Sequence, residues 1–232
     1  MPGLFDPLYF LILGPLMLLS MWAASRVKGT FAEYSKVPIR SGYSGAEAAQ
    51  AILHGAGIHD VGIEAANGML SDHYDPTRKV VRLSPDVLRG RTPAAVAVAA
   101  HEVGHAIQHA QAYAPLQWRS SLVPIVQLSG GMAMPLFLIG IVLHASGLVL
   151  LGIVAFSIAV LFHLVTLPVE FDASNRAIKI LEGSGIAAAD EMVGVRKTLY
   201  AAGFTYVAST LVALGTLLYF LLRSGFLGGR DE

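Results

Sequence analysis

Four apolar runs constrain this chain more than any other feature. Leu8–Ala24, Ser121–Leu143, Leu148–Val169 and Thr205–Leu222 contain no Asp, Glu, Lys or Arg. A helix rises about 1.5 Å per residue and needs about 20 such residues to cross a bilayer. The first run is short and interrupted by Gly14 and Pro15. Only 14 % of the chain is charged, against about 25 % in soluble domains. The expected fold class is therefore mainly α, an integral membrane protein with about four transmembrane helices.

The uncharged link His144–Gly147 is short enough to make the second and third runs an antiparallel hairpin of helices. The small residues Ala23-Ala24-Ser25 resemble a signal-peptide cleavage site, but the segment Met1–Pro7 lacks the basic residues such a peptide carries. The first run is thus read as an uncleaved anchor, with Trp22 near an interface. Arg26, Lys28, Lys36, Arg40, Arg119, Arg176, Lys179, Arg196 and Lys197 flank one side of the four runs, and Arg223 and Arg230 the other. The positive-inside rule then places the segments between runs one and two and between runs three and four in the cytoplasm, and both termini outside. The expected location is a cell membrane, multi-pass, of the prokaryotic inner-membrane kind.

The formal net charge is zero, so no basic face calls for nucleic acid, and the absence of cysteine excludes disulfides and thiolate metal sites. Any metal must be held by His and carboxylate. The expected divisions are an anchor (1–25), a small α+β region (26–119), a helix hairpin (120–169), a polar helical segment (170–204) and a last span with its tail (205–232). Within the second, Ser44 with Glu47 three residues on is a capping box that opens a short helix. Val61–Ala65 reads as a strand. Asp75-Pro76-Thr77 marks a turn before the β-rich Lys79, Val80, Val81, Arg82 and Leu83. As an edge strand this segment could hold an extended peptide by backbone hydrogen bonds; as an ordinary hairpin it would be structural only. Ile178–Ala202 is expected as amphipathic helix broken at Gly183-Ser184-Gly185.

The chemistry is carried by AVAVAAHEVGHAIQHAQ, Ala95–Gln111. His101, Glu102 and His105 form H-E-x-x-H; residues four apart share a helix face, so two imidazoles can reach one ion while the adjacent glutamate faces the place of a bound water. Chance supplies such a motif in a chain of this composition about once in a hundred. Thr92 as N-cap and Pro93 at the first helical position start the helix. Gly104 in its middle costs about 1 kcal/mol against alanine, which implies a close approach to the backbone there.

A catalytic zinc site needs a third protein ligand. His109 lies two turns, about 12 Å along the axis, beyond His101 and cannot share its ion; it reads as a polar wall. Glu170, just after Pro168 at the end of the third run, is a carboxylate at the edge of an apolar helix and calls for a partner. The metal is one such partner; a salt bridge to Arg176 or Lys179 is another, and Asp172 is the rival ligand. His163, inside the third run, reads equally as a functional group or as a neutral histidine bonded to a neighbouring helix.

HEVGHAIQHA (His101–Ala110), LPVEFDASNRA (Leu167–Ala177) and the YVAST run after Gly203 together resemble the YugP-like membrane zinc metallopeptidases, with a layout similar to the HtpX-like peptidases. The resemblance covers essentially the whole chain. It implies a zinc-dependent membrane peptidase with His101, His105 and Glu170 as ligands and Zn2+ as cofactor; the positive-inside rule sets that site at the cytoplasmic membrane surface. Such enzymes usually carry an aspartate four residues after the ligand glutamate; Ser174 stands there, so Ser174 or Asp172 is expected to orient the first histidine. The expected reaction is hydrolysis of peptide bonds in membrane or misfolded proteins by a zinc-activated water, with Glu102 as general base and Arg176, Tyr200, Tyr206 or His109 as donor to the oxyanion. The expected partners are a peptide or membrane-protein substrate and the lipid bilayer. An intramembrane protease fits less well, because Arg91, Gln108, Gln111 and Gln117 make the motif helix too polar to cross and no L-D-G segment follows. A non-catalytic membrane adaptor or metal-binding protein that keeps the motif as structure is the alternative outside peptidase chemistry.

Overall fold

A computed structural model describes residues 6–68 and 71–226. The start of the anchor (residues 1–5) and the part of the tail that holds Arg230 lie outside the described residues. Within them the order is α1 (Pro7–Tyr34), α2 (Gly45–Gly55), β1 (Gly62–Ala65), β2 (His73–Asp75), β3 (Val80–Leu83), α3 (Pro85–Arg89), α4 (Pro93–Ala110), α5 (Ala114–Val142), α6 (Ser146–Ser184) and α7 (Met192–Arg223). The fold is mainly helical, and α1, α5, α6 and α7 are each long and apolar enough to cross a membrane.

These helices outrun the apolar runs that seeded them. The helix α1 continues through Gly14 and Pro15 and on into the basic segment, to Tyr34. One proline frees a single carbonyl, whereas a helix that broke inside an apolar run would strand several backbone groups. In the same way α6 joins the third run to the segment bearing Glu170 without a break across Pro168. It ends at Ser184, where Gly185 takes the left-handed conformation (φ 70°) that closes many helices. The expected break at Gly183-Ser184-Gly185 thus separates two helices, the tail of α6 and the head of α7, which begins at Met192.

The chain forms two compact units. The first comprises Met1–Trp22, Trp118–Leu167 and Thr205–Glu232. Its aromatic core stacks Phe137 on Phe220, with ring centroids 3.9 Å apart. Gly140 and Gly152 let α5 and α6 touch backbone to backbone, since a Cβ on Gly152 would lie 2.7 Å from Phe137 N. Small residues at such crossings are a habit of membrane helices. The outward faces are apolar, with Leu11, Leu18, Leu128 and Val142 all largely exposed. An apolar coat of that extent suits lipid rather than water.

The second unit comprises Ala23–Gln117 and Pro168–Phe204. Its core gathers α2, β3, α4 and the polar ends of α6 and α7 around Leu53, Val81, Leu83, Val96, Val103 and Leu181. The sheet order is β1-β3-β2, with β1 parallel to β3 and β2 antiparallel to it. Val81 and Leu83 point into the core, while Arg82 between them pairs with Glu64 on β1 and Asp75 on β2. This corrects the reading of residues 79–83 as an edge strand. Val80, Val81, Arg82 and Leu83 form the central strand, with both edges paired, and Lys79 sits in the preceding turn at φ 53°, bound to Asp60.

The helix α2 starts at the expected capping box: Ser44 Oγ accepts from Glu47 N–H (3.2 Å), and Glu47 Oε2 accepts from Ser44 N–H (2.8 Å). Ser44→Ala removes half of this arrangement and should lower unfolding stability by about 1 kcal/mol. Thermal melts of the detergent-solubilised chain would show it, and an unchanged melt would reject a stabilising role for the box.

Candidate metal centre

Every side chain of the candidate centre belongs to the second unit, on α4 and the polar end of α6. Thr92 Oγ1 accepts from Ala95 N–H (3.3 Å) and Pro93 occupies the first turn, so α4 begins where its cap dictates. From there the helical period delivers His101 and His105 to one face, with ring centroids 4.7 Å apart.

Opposite them, α6 presents Glu170, 2 % exposed. Its Oε2 lies 3.2 Å from His101 Nε2 and 3.5 Å from His105 Nε2. One ligand atom from each of the three residues falls within 4.8 Å of the others, and this is the His-His-Glu group found among the described residues. A tetrahedral zinc ion with bonds of 2.0–2.1 Å holds its ligand atoms about 3.3–3.4 Å apart. The observed His–Glu spacings straddle that edge length. The donor set, two neutral nitrogens and a carboxylate, is also one that zinc accepts. The residues fit the metal.

Electrostatics agree with geometry. Burial alone would depress the His105 pKa, yet the Glu170 carboxylate beside the ring and the nearby Glu102 raise it above the ordinary histidine value. A pocket that favours positive charge on an imidazole favours a cation set between the rings. Glu102, 8 % exposed, sits on α4 between the two ligand histidines in sequence.

The ligand rings are held from behind. Ser174 Oγ is 3.1 Å from His101 Nδ1, and Gln108 Oε1 is 3.0 Å from His105 Nδ1. Asp172 does not turn to the metal group. It accepts from Gln108 Nε2 at 2.8 Å and from Arg176 Nε at 2.5 Å. Arg176 pairs with Asp172 rather than Glu170, donates to Gln111 Oε1 (2.6 Å) and lies over the Tyr113 ring. His109 turns to the sheet, where its Nδ1 lies 2.8 Å from the Tyr74 hydroxyl on β2. Burial, with Asp60 and Asp75 nearby, pushes the Tyr74 pKa up to about 12, so the phenol stays protonated. Tyr206 belongs to the first unit and Tyr200 to the second.

Gln108 is the residue of this centre that the sequence reading treated only as helix polarity. The signal was present: Gln108 lies three residues after His105, and residues three apart are neighbours on a helix.

Comparison with known proteins bears on the same residues. Residues 9–225 match the model of a family described as "Putative neutral zinc metallopeptidase". The chain is 50 % identical over 214 residues to a Bacillus subtilis (strain 168) protein described as "Putative membrane protease YugP", covering 92 % of this chain and 94 % of that protein. No solved structure matches.

Proposed function

Since the chain belongs to this neutral zinc metallopeptidase family, we propose that it is a zinc-dependent membrane endopeptidase. It hydrolyses peptide bonds of membrane or misfolded proteins. The observation that carries the reading is the convergence of His101, His105 and Glu170, with Glu102 on the same helix as both histidines.

His101, His105 and Glu170 hold the zinc. When bound, zinc supplies Lewis-acid polarisation of a carbonyl and lowers the pKa of water toward neutrality. Glu102 accepts a proton from the attacking water at a carboxylate oxygen and passes it to the leaving amine nitrogen. Ser174 orients His101. Arg176 donates from Nε to Asp172 and from Nη1 to Gln111, which holds α4 against the polar end of α6. His109 and Tyr74 form a polar wall one helical turn beyond His105. Since β3 is paired on both sides, the edges that an extended substrate could join are β1 and β2, and β2 is the one whose Tyr74 meets His109 of the motif helix. In this reading the four apolar helices cross a cell membrane, and the Lys and Arg that flank them support a cytoplasmic position for the zinc-binding segments.

The test uses the full chain purified in detergent. It should carry one zinc and cleave a denatured reporter protein; stripping the metal with a chelator should stop cleavage, and zinc should restore it. Glu170→Ala should bind no zinc at chelator-buffered concentrations that saturate the wild type. Cleavage that persists after the metal is removed, or a wild type without zinc, would overturn the proposal.

A further inference from the structure

A neutral imidazole binds metal through one nitrogen and carries its proton on the other, so a ligand ring works in only one tautomer. A neighbour that fixes that tautomer prepares the ring for the metal. At His101 the contact is a hydroxyl, Ser174 Oγ. A hydroxyl donates or accepts as required and dictates nothing.

At His105 the contact is an amide, and its two ends are not equivalent. Gln108 is fully buried (0 % exposed). Its Nε2 lies 2.8 Å from the Val169 carbonyl oxygen and 2.8 Å from Asp172 Oδ2. Both are acceptors, so the end of the side chain that meets them must be the NH2. Turning the amide over would set its oxygen against two oxygens in a buried place and leave that oxygen without a donor. The carbonyl oxygen of Gln108 therefore faces His105 Nδ1, 3.0 Å away. A carbonyl only accepts, so Nδ1 carries the hydrogen. The lone pair is left on Nε2, the nitrogen 3.5 Å from Glu170 Oε2. Asp172 is itself fixed by Arg176, whose Nη1 is tied to Gln111. The orientation of a metal ligand is thus settled by a chain of donors and acceptors that starts at a guanidinium, which stays protonated.

We propose that Gln108 is the positioning residue of His105: its amide, locked by Val169 and Asp172, fixes the Nδ1–H tautomer and presents Nε2 to the zinc. The inference rests on the zinc reading above. It also assigns Asp172 a place. Asp172 acts on His105 through Gln108, not on His101 in the manner expected of an acid near the ligand glutamate.

Gln108→Met keeps the side chain's length while removing donor and acceptor together. In the full-length detergent-solubilised chain, zinc affinity measured by competition with a calibrated chelator should fall 10–100-fold. A Gln108 that served packing alone would lower the melting temperature of the zinc-free chain and leave zinc affinity of the folded chain within twofold of wild type; that result overturns the inference. Should the variant fail to fold, the wild type decides. In the zinc-loaded chain with 15N-labelled histidine rings, NMR should show the metal-bound His105 ring attached through Nε2, with a slowly exchanging Nδ1–H. A His105 ring attached through Nδ1 overturns the inference. A wild type that takes up no zinc removes the zinc reading and this inference with it, an outcome distinct from equal zinc binding by wild type and variant.

Discussion

Glu102→Gln should leave zinc content and zinc affinity within about twofold of wild type and lower kcat on a denatured reporter by about 10²–10⁴-fold. The substitution is isosteric, so packing around the 8 %-exposed side chain is preserved. What it loses is the ability to take and return a proton. Glu102 is one residue from His101 and three from His105, so it accompanies both ligands on α4 whatever small shifts the helix makes. It does not belong to the His101, His105 and Glu170 ligand group. Retention of metal with loss of turnover is therefore the expected pair of results. The pair also separates the enzyme from a membrane adaptor that keeps the motif as scaffold, because an adaptor has no turnover to lose. Unchanged cleavage by the Gln variant would end the assignment of Glu102 as general base. Loss of zinc would move Glu102 from proton carrier to a structural part of the ligand cage.

How far the centre could be read from sequence depends on the range of the interaction concerned. The Thr92 cap, Pro93 and the four-residue spacing of the histidines are local, and each acts in α4 as helical geometry requires. The Ser44–Glu47 box is local in the same sense. Glu170 lies 65 residues beyond His105 in sequence; it was a candidate because a carboxylate beside an apolar run needs a partner, and the resemblance to the YugP-like peptidases singled it out as the ligand. The sheet was the hardest part. A β-rich segment bounded by turns looks alike whether it lies at the edge or in the middle, since strand order is decided by which neighbours it meets. Here β1 pairs in parallel with β3, the strand after next in sequence, while β2 takes the other side of β3, and that puts Val80–Leu83 in the centre. The Gln108 network was also hidden, although its spacing from His105 was not. Its meaning depends on Val169 and Asp172, both more than 60 residues away in sequence.

Gly104 links the local and distant parts, and it carries the other large expected effect. A Cβ at Gly104 would lie 2.7 Å from the Ala173 carbonyl oxygen and 3.2 Å from Ala173 Cα. Those are backbone atoms, so no side chain can swing aside to make room. In an open helix Gly→Ala stabilises by about 1 kcal/mol. Here overpacking costs about 1–3 kcal/mol, so the net change is a loss. The larger consequence is for the centre. Ala173 sits three residues after Glu170 and immediately before Ser174, so a backbone pushed away there withdraws the third ligand and the His101 contact together. A displacement of about 1 Å at a reacting group can cost about 10²-fold in rate. Gly104→Ala should therefore weaken zinc binding and reduce cleavage by at least that factor, with only a modest loss in melting temperature. Gly29→Ala is the matched control, a helical glycine with nothing within 4 Å of the added Cβ. It should leave both activity and zinc affinity at the wild-type level. Equal behaviour of the two variants would mean that α4 and α6 do not depend on close backbone contact at Gly104, and that the approach of Glu170 to the two histidines is set elsewhere.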